Sequence, residues 1–197
     1  MGVRPYDVMM TPEADSRPLT PPAQKDWQGR FFEDFAPGDI FRSRLGRTIT
    51  DTDNIWFTAI TMNTNQVHFN AEFAGATRFG QMLVNSCFTL SLVCGLSVPD
   101  TSENATANLA WTDISLPNPV FVGDTLWAES EILSVRESTT NATIGIVTMR
   151  TRGVNQRRET VIEFQRTFMI YRRSAPEATA GRFPGAAAPW RVGEGRG

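Results

Sequence analysis

The sequence predicts an α+β fold, a single domain in which an antiparallel sheet of at least five strands wraps around one long buried helix. Three observations carry this expectation. The segment Gln81 to Ser97 is apolar around nearly its whole circumference, the pattern of a helix covered on all sides. Beyond Pro99 the texture changes to four long runs rich in β-branched and aromatic residues. Helices and strands do not alternate, which argues against parallel βαβ units.

Residues 1–28 are rich in proline and polar residues, as in RPLTPPAQKD, and read as an extended or disordered arm. The domain spans residues 29–173. FFEDFAPGD turns at Pro37-Gly38. IFRSRLGRTIT reads as the first strand, with Ile40, Arg42 and Arg44 on one face and Phe41, Ser43 and Leu45 on the other. Thr50 or Asp51 caps a helix through TDTDNIWFTAITM, and Asp53 puts negative charge in its first turn. That helix places Ile55, Ala59 and Met62 on one side and stops at the polar NTNQ loop. A short helix, NAEFAGAT, follows, and then the long apolar one, whose Asn85, Ser86, Thr89 and Ser91 must meet something polar or a tight contact. The strand runs are ATANLAWTDISL, DTLWAESEILSVRES, NATIGIVTMRTRGV and ETVIEFQRTFMIYRR, bounded by PNPVFVGD, STTN and NQRRE. Residues 174–197, rich in Pro, Gly and Ala, read as a tail in which Phe183 and Trp190 either dock or stay free.

The chain of 197 residues is long enough to bury a real core. Its 41% hydrophobic and 20% charged residues fit an ordinary soluble domain. A net charge of −2 leaves no basic footprint for nucleic acid. The longest apolar run is interrupted by Asn85, Ser86, Thr89 and Ser91, so it is not a membrane span. The opening MGVRPYDVMMTPEADS has no apolar core and acquires acids early, which predicts neither a signal nor a transit peptide and places the protein in the cytoplasm. Cys87 and Cys94 lie two helical turns apart, about 10 Å, too far for a disulfide, and read as buried thiols. One histidine and two buried cysteines do not make a ligand set, so no metal is expected. No Gly-rich phosphate loop or dinucleotide fingerprint appears.

That histidine, His68, lies in NTNQVHFNAEFAGATRFGQMLVNS, where a polar loop runs into the mouth of the long helix. A lone imidazole beside a polar loop and a helix N-terminus is where proton transfer would be located. The same stretch, followed by LAWTDISLPNPVFVGDTLWAESEILSVRE, resembles the MaoC-like (R)-specific enoyl-CoA hydratases and dehydratases of the hot-dog fold, over about Phe31 to Arg173. The family's motif is Asp, any residue, Asn, Pro, an aliphatic residue, His. Here that register reads Asn63, Thr64, Asn65, Gln66, Val67, His68.

The resemblance implies His68 as acid and base and the Ser86 N–H as oxyanion donor, with Asn85, a substrate-binding candidate, before it in place of the family's His; if His68 works alone, Asn63 orients the water. It implies no cofactor beyond the CoA of an acyl-CoA thioester substrate. It also implies a homodimer, or a higher homo-oligomer, joined through sheet edges with two equivalent sites. Asn65 reads equally as a binding or a turn residue.

Asn63 stands where the family has Asp, and an amide cannot take or give that proton. Three readings stay open: His68 works alone, Glu72 or Asp113 has taken over, or the site binds acyl-CoA without turning it over. The stretches TMNTNQVHFN, LVNS and LSVPDTSENATANLAW look most like the subgroup acting on branched dicarboxyl-CoA thioesters, the mesaconyl-CoA (β-methylmalyl-CoA) and itaconyl-CoA hydratases. A second carboxylate needs a cation, for which Arg78 is the nearest, or else Arg78 is a solvated loop residue. Arg150 and Arg152, with Arg157 and Arg158, form either a landing place for CoA phosphates or a solvated hairpin end. A hot-dog thioesterase is the rival enzyme class, but Gln81 to Ser97 holds none of the carboxylates it normally needs.

Overall fold

The computed structural model describes residues 27–179. They fold as the expected α+β architecture, one antiparallel sheet with a helix packed on its face. The four long runs become β3 (Ala105–Ser115), β4 (Thr125–Glu137), β5 (Ile144–Asn155) and β6 (Thr160–Tyr171). The predicted first strand is broken into β1 (Ile40–Arg42) and β2 (Arg47–Thr48), both paired with β4. Strand order is β1-β4-β5-β6-β3, which leaves β3 as an edge. Its pairing with β6 shifts register three times, and Asp113 has a positive φ of 52° at the last of these irregularities.

Three helices follow in order: α1 (Asp51–Ile60), α2 (Ala71–Gly75) and α3 (Ser86–Thr101). α1 starts at a reciprocal cap in which Thr50 N donates to Asp53 Oδ2 at 2.8 Å and Asp53 N to Thr50 Oγ1 at 3.3 Å. A hydrogen bond from Arg47, the largest influence, holds the Asp53 carboxyl well below the usual carboxylate range. The helix turns Asn54 and Thr58 inward and leaves Ile55, Trp56, Ile60 and Met62 exposed, so its apolar side faces out of the single chain.

The long helix differs from the sequence expectation in two respects. It runs from Ser86 to Thr101, not from Gln81, because Leu83 bridges Phe121 and Val84 N donates to Val120 O, so the apolar run before Asn85 is extended. Pro99 lies inside the last turn rather than ending it. Nor is the helix covered all round: Thr89, Val93, Ser97 and Thr101 are buried, while Cys87, Ser91, Gly95 and Pro99 form an exposed stripe at i,i+4 spacing. Cys87, expected in the core, is therefore exposed; both thiols are free. One sheet covers one side of a helix, and the other side needs a second surface.

α3 lies close on the sheet because Gly153 has no side chain: a Cβ there would meet Val93 Cγ2 at 2.6 Å. Val93, Leu126, Ile162 and Phe164 fill that half of the core, and Phe35, Ile132, Met149 and Phe168 the other. Trp27 joins the body by donating to Glu103 Oε2 at 2.8 Å, and Ala175 and Ala178 are buried beside Phe31 and Tyr171, so packing runs past both predicted boundaries. The expected arm of residues 1–28, up to residue 26, and residues 180–197 of the expected tail lie outside the described residues.

The loop before β4 is tied by Asp124, which is buried. Its Oδ2 accepts from Phe121 N at 3.0 Å, and its Oδ1 accepts from Gln156 Nε2 at 2.7 Å and Arg157 Nη1 at 2.8 Å. Burial pushes this carboxyl up, but the hydrogen bonds outweigh burial and the net shift is downward. A lowered folded-state pKa gives stability that is present above the unfolded value, about 3.9, and is lost as pH falls through the folded one. Asp124→Asn is expected to cost about 1–2 kcal/mol at neutral pH, because it takes the charge from a buried carboxylate that three donors share, while the exposed Arg157 keeps Glu159. In thermal melts against pH, the gap between wild type and variant closes below about pH 4. A gap constant from neutral pH to 3 would show that Asp124 acts by packing alone.

Candidate functional site

The site is built where α1, the loop after it and the mouth of α3 meet. Met62 takes a left-handed φ of 55° and ends α1, and Asn63 N donates to Thr58 O at 3.1 Å. Two Asx turns follow: Asn63 Oδ1 accepts from Asn65 N at 3.0 Å, and Asn65 Oδ1 accepts from Val67 N at 3.3 Å. A 3-10 turn, Gln66–His68, then carries the imidazole inward, where His68 is buried.

His68 Nδ1 lies 2.8 Å from Leu83 O. A carbonyl only accepts, so Nδ1 carries a hydrogen, and in the neutral ring Nε2 keeps its lone pair. The same carbonyl accepts from Asn54 Nδ2 at 3.1 Å, and Asn54 Nδ2 also donates to His68 O at 2.8 Å. On its other side Asn54 Oδ1 accepts from Asn85 N at 2.9 Å. One fully buried carboxamide thus fixes both the imidazole turn and the start of α3.

Asn85 is the N-cap of α3: its Oδ1 accepts from Cys87 N at 3.0 Å and its Nδ2 donates to Thr58 Oγ1 at 3.2 Å. Ser86 follows as the first helical residue, so its N–H has no partner within the helix and points out of a positive helix end. A cleft of about 250 Å³ opens here, with Leu83, Ser86 and Thr89 on one wall, the 116–120 loop on the other, and Arg78 and Phe79 at its rim. His68 is not among the residues that line this cleft; it is tied to the α3 mouth through Leu83 O, three residues before Ser86. An imidazole and unpaired helix N–H groups held on one backbone segment are the parts that proton transfer to a polarised thioester needs.

The structure brings His68, Asn85, Ser86 and Arg78 to this region, with Asn63 and Asn65 shaping the loop that carries His68. The side chains of Asn63, Asn65 and Asn85 are engaged in turns and a cap. Arg78 is exposed, its guanidinium 4.8 Å from the centroid of the Phe79 ring. Arg150 and Arg152 do not come here: they alternate with the buried Met149, Thr151 and Gly153, so they lie on the sheet face away from α3. There they pair with Glu131 and Glu129, and Arg157 pairs with Asp124 and Glu159. Of the rival carboxylates, Glu72 is exposed in the first turn of α2, and Asp113 on edge strand β3 accepts from Gln165 Nε2 at 2.7 Å. Neither hydrogen-bonds His68.

Sequence reading missed Asn54 and Thr58. Their signal was two polar residues at i and i+4 inside a helix of otherwise apolar interior, which places both on one face.

Comparison with known proteins places the geometry in a class. A protein of Mycobacterium tuberculosis with a double hot-dog fold covers 84% of this chain, and is itself 49% covered, at a TM-score of 0.68 and 20% identity. A MaoC domain protein dehydratase of Chloroflexus aurantiacus matches with a TM-score of 0.72 and 31% identity over 78% of this chain and 44% of that one. The domain is a MaoC-like hot-dog. Within that class, a family model described as mesaconyl-CoA hydratase matches residues 14–191. The mesaconyl-CoA hydratase of Cereibacter sphaeroides is 35% identical over 164 residues, 81% of this chain and 48% of that protein. The chain belongs to the mesaconyl-CoA hydratase family. It spans about half the length of the curated relatives it matches.

Proposed function

We propose that this protein reversibly hydrates a 2-enoyl-CoA thioester, a short branched dicarboxyl-CoA of the mesaconyl or itaconyl kind. The observation that carries the reading is the 2.8 Å contact of His68 Nδ1 with Leu83 O, which in the neutral ring puts the hydrogen on Nδ1 and leaves Nε2 as the base. In the forward direction Nε2 takes a proton from water as the water oxygen bonds to the β-carbon. The double-bond electrons move into the thioester, whose oxygen is held by the Ser86 N–H. The imidazolium then returns the proton to the α-carbon on the same face, so one group performs both steps. Asn63 orients the water. The substrate's own CoA is the only cofactor this chemistry needs.

A second reading is an acyl-CoA-binding subunit. Asn63 favours it, because an amide stands where the motif has a carboxylate and its oxygen already accepts from Asn65 N. One assay decides between them: the full chain with mesaconyl-, itaconyl- and crotonyl-CoA, followed by enoyl absorbance and free thiol. Loss of absorbance without thiol is expected. Thiol release would mean a thioesterase, and silence with measurable binding would mean the subunit.

The working form is a homodimer in the cytoplasm. Supporting the dimer are the edge position of β3, the exposed Leu109, Trp111, Ile114 and Leu116 along and beyond it, and the apolar outer side of α1. Two free thiols accord with a reducing compartment; no helix among the described residues is long and apolar enough to cross a membrane. Light scattering is expected to give twice the chain mass, and a monomer at micromolar concentration would withdraw the dimer.

A further inference from the structure

The mechanism above makes no use of Arg166, a cation buried in the β6 strand at 2% exposure. Its Nη1 donates to Cys94 Sγ at 3.0 Å, and its Nη2 donates to Ser102 Oγ at 2.8 Å and reaches Thr101 Oγ1 at 3.5 Å. Its Cζ lies 5.0 Å from the centroid of the Phe168 ring. Its Nε has no partner, and among the described residues no carboxylate pairs with it. Burial lowers its pKa, yet a guanidinium keeps its proton. A buried charge held only by neutral groups costs several kcal/mol unless an anion joins it. Hydrogen-bonding to a thiol and two hydroxyls orients the guanidinium without neutralising it.

Arg166 also lines a groove of about 600 Å³ between the exposed stripe of α3 and the start of β3. Leu90, Val98, Ala107 and Trp111 give it apolar walls. At Gly95 an added Cβ would meet nothing within 4 Å, so the helix surface there is open to the groove. Along α3, Cys94 beside the guanidinium is eight residues from Ser86 at the helix mouth, about 12 Å at 1.5 Å per residue. Apolar walls with one charged donor group suit methylene carbons ending in an anion.

We propose that this groove receives the acyl chain of the substrate and that Arg166 binds a carboxylate carried at its far end. The inference rests on the acyl-CoA reading above and gives the dicarboxylic class a residue. It also moves the cation from Arg78, exposed at the cleft rim, to a buried position. A guanidinium there discriminates twice: it attracts a carboxylate and leaves a methyl-ended chain facing an uncompensated charge.

The test is calorimetric binding of saturated esters to the full chain: succinyl- against butyryl-CoA, and adipyl- against hexanoyl-CoA. None of these can be hydrated, so the result stands apart from turnover; failure of the hydratase reading would show separately, in the enoyl-CoA assay. The wild type is expected to bind at least one diacid ester about 10–100-fold tighter than its neutral partner, and the preferred pair gives the chain length. Arg166→Met is expected to erase that preference while leaving the neutral ester within a few-fold, and Arg166→Lys to restore part of it. Equal wild-type binding within both pairs would overturn the proposal. So would an Arg166→Met protein that loses affinity for all four esters alike or changes oligomeric state, since Arg166 would then serve the fold or an interface.

Discussion

Replacing His68 with alanine is expected to lower kcat for enoyl-CoA hydration by about 10²–10⁴-fold, the range that one positioned acid–base group supplies. The fold should survive. The lost ring contributes one hydrogen bond, from Nδ1 to Leu83 O, worth about 1 kcal/mol. Leu83 O is not orphaned, because Asn54 Nδ2 still donates to it. A thermal melt a few degrees below wild type, together with loss of turnover, is the signature of a chemical role. A variant with wild-type activity would remove His68 from the mechanism, and with it the only histidine of the chain.

The second large effect is expected at a residue that need not touch substrate. Asn54→Ala removes donors from His68 O and Leu83 O and the acceptor of Asn85 N. Asn54 is fully buried, so no solvent replaces these partners. Leaving one buried N–H unsatisfied costs about 1–3 kcal/mol, and the two weakened carbonyls raise the total to roughly 3–5 kcal/mol. Because the imidazole turn and the α3 mouth both lose their tether, kcat should also fall, by about 10²-fold for a misplacement near 1 Å. Denaturant unfolding measures the first effect and steady-state kinetics the second. A stability loss below about 1 kcal/mol would mean that loop and helix hold their places by other contacts.

The contrast between these residues shows what the sequence makes legible. His68 stands out as the only imidazole, in a polar loop and a recognisable register. The four long strands stand out through β-branched runs between turn residues, and the Thr50–Asp53 cap through its spacing. Asn54 does not stand out, because its partners lie 14, 29 and 31 residues away, and no local pattern marks a side chain defined by long-range hydrogen bonds. The start of α3 was misplaced for a related reason. Met82, Leu83 and Val84 are as apolar as the helix that follows, and only pairing with the 120–121 loop makes them extended. Arg150 and Arg152 read as a free basic cluster until the register set Glu131 and Glu129 opposite them. No local pattern singles out Arg166, because its burial depends on residues of α3 and its C-cap 64 to 72 positions away.

The Asn54 carboxamide has a consequence for how this protein can change. Its Nδ2 donates to the backbone of the turn that carries His68, the proposed proton carrier, and its Oδ1 accepts from Asn85 N at the α3 mouth, the proposed carbonyl cradle. A rigid planar group of a few atoms therefore sets the spacing between the two halves of the reaction centre like a fixed gauge. Altering the reactive end alters both halves together, whereas the groove farther along α3 carries side chains outside that gauge. New substrates are then reached most readily by replacing residues near Arg166, with the reaction at the helix mouth left as it is.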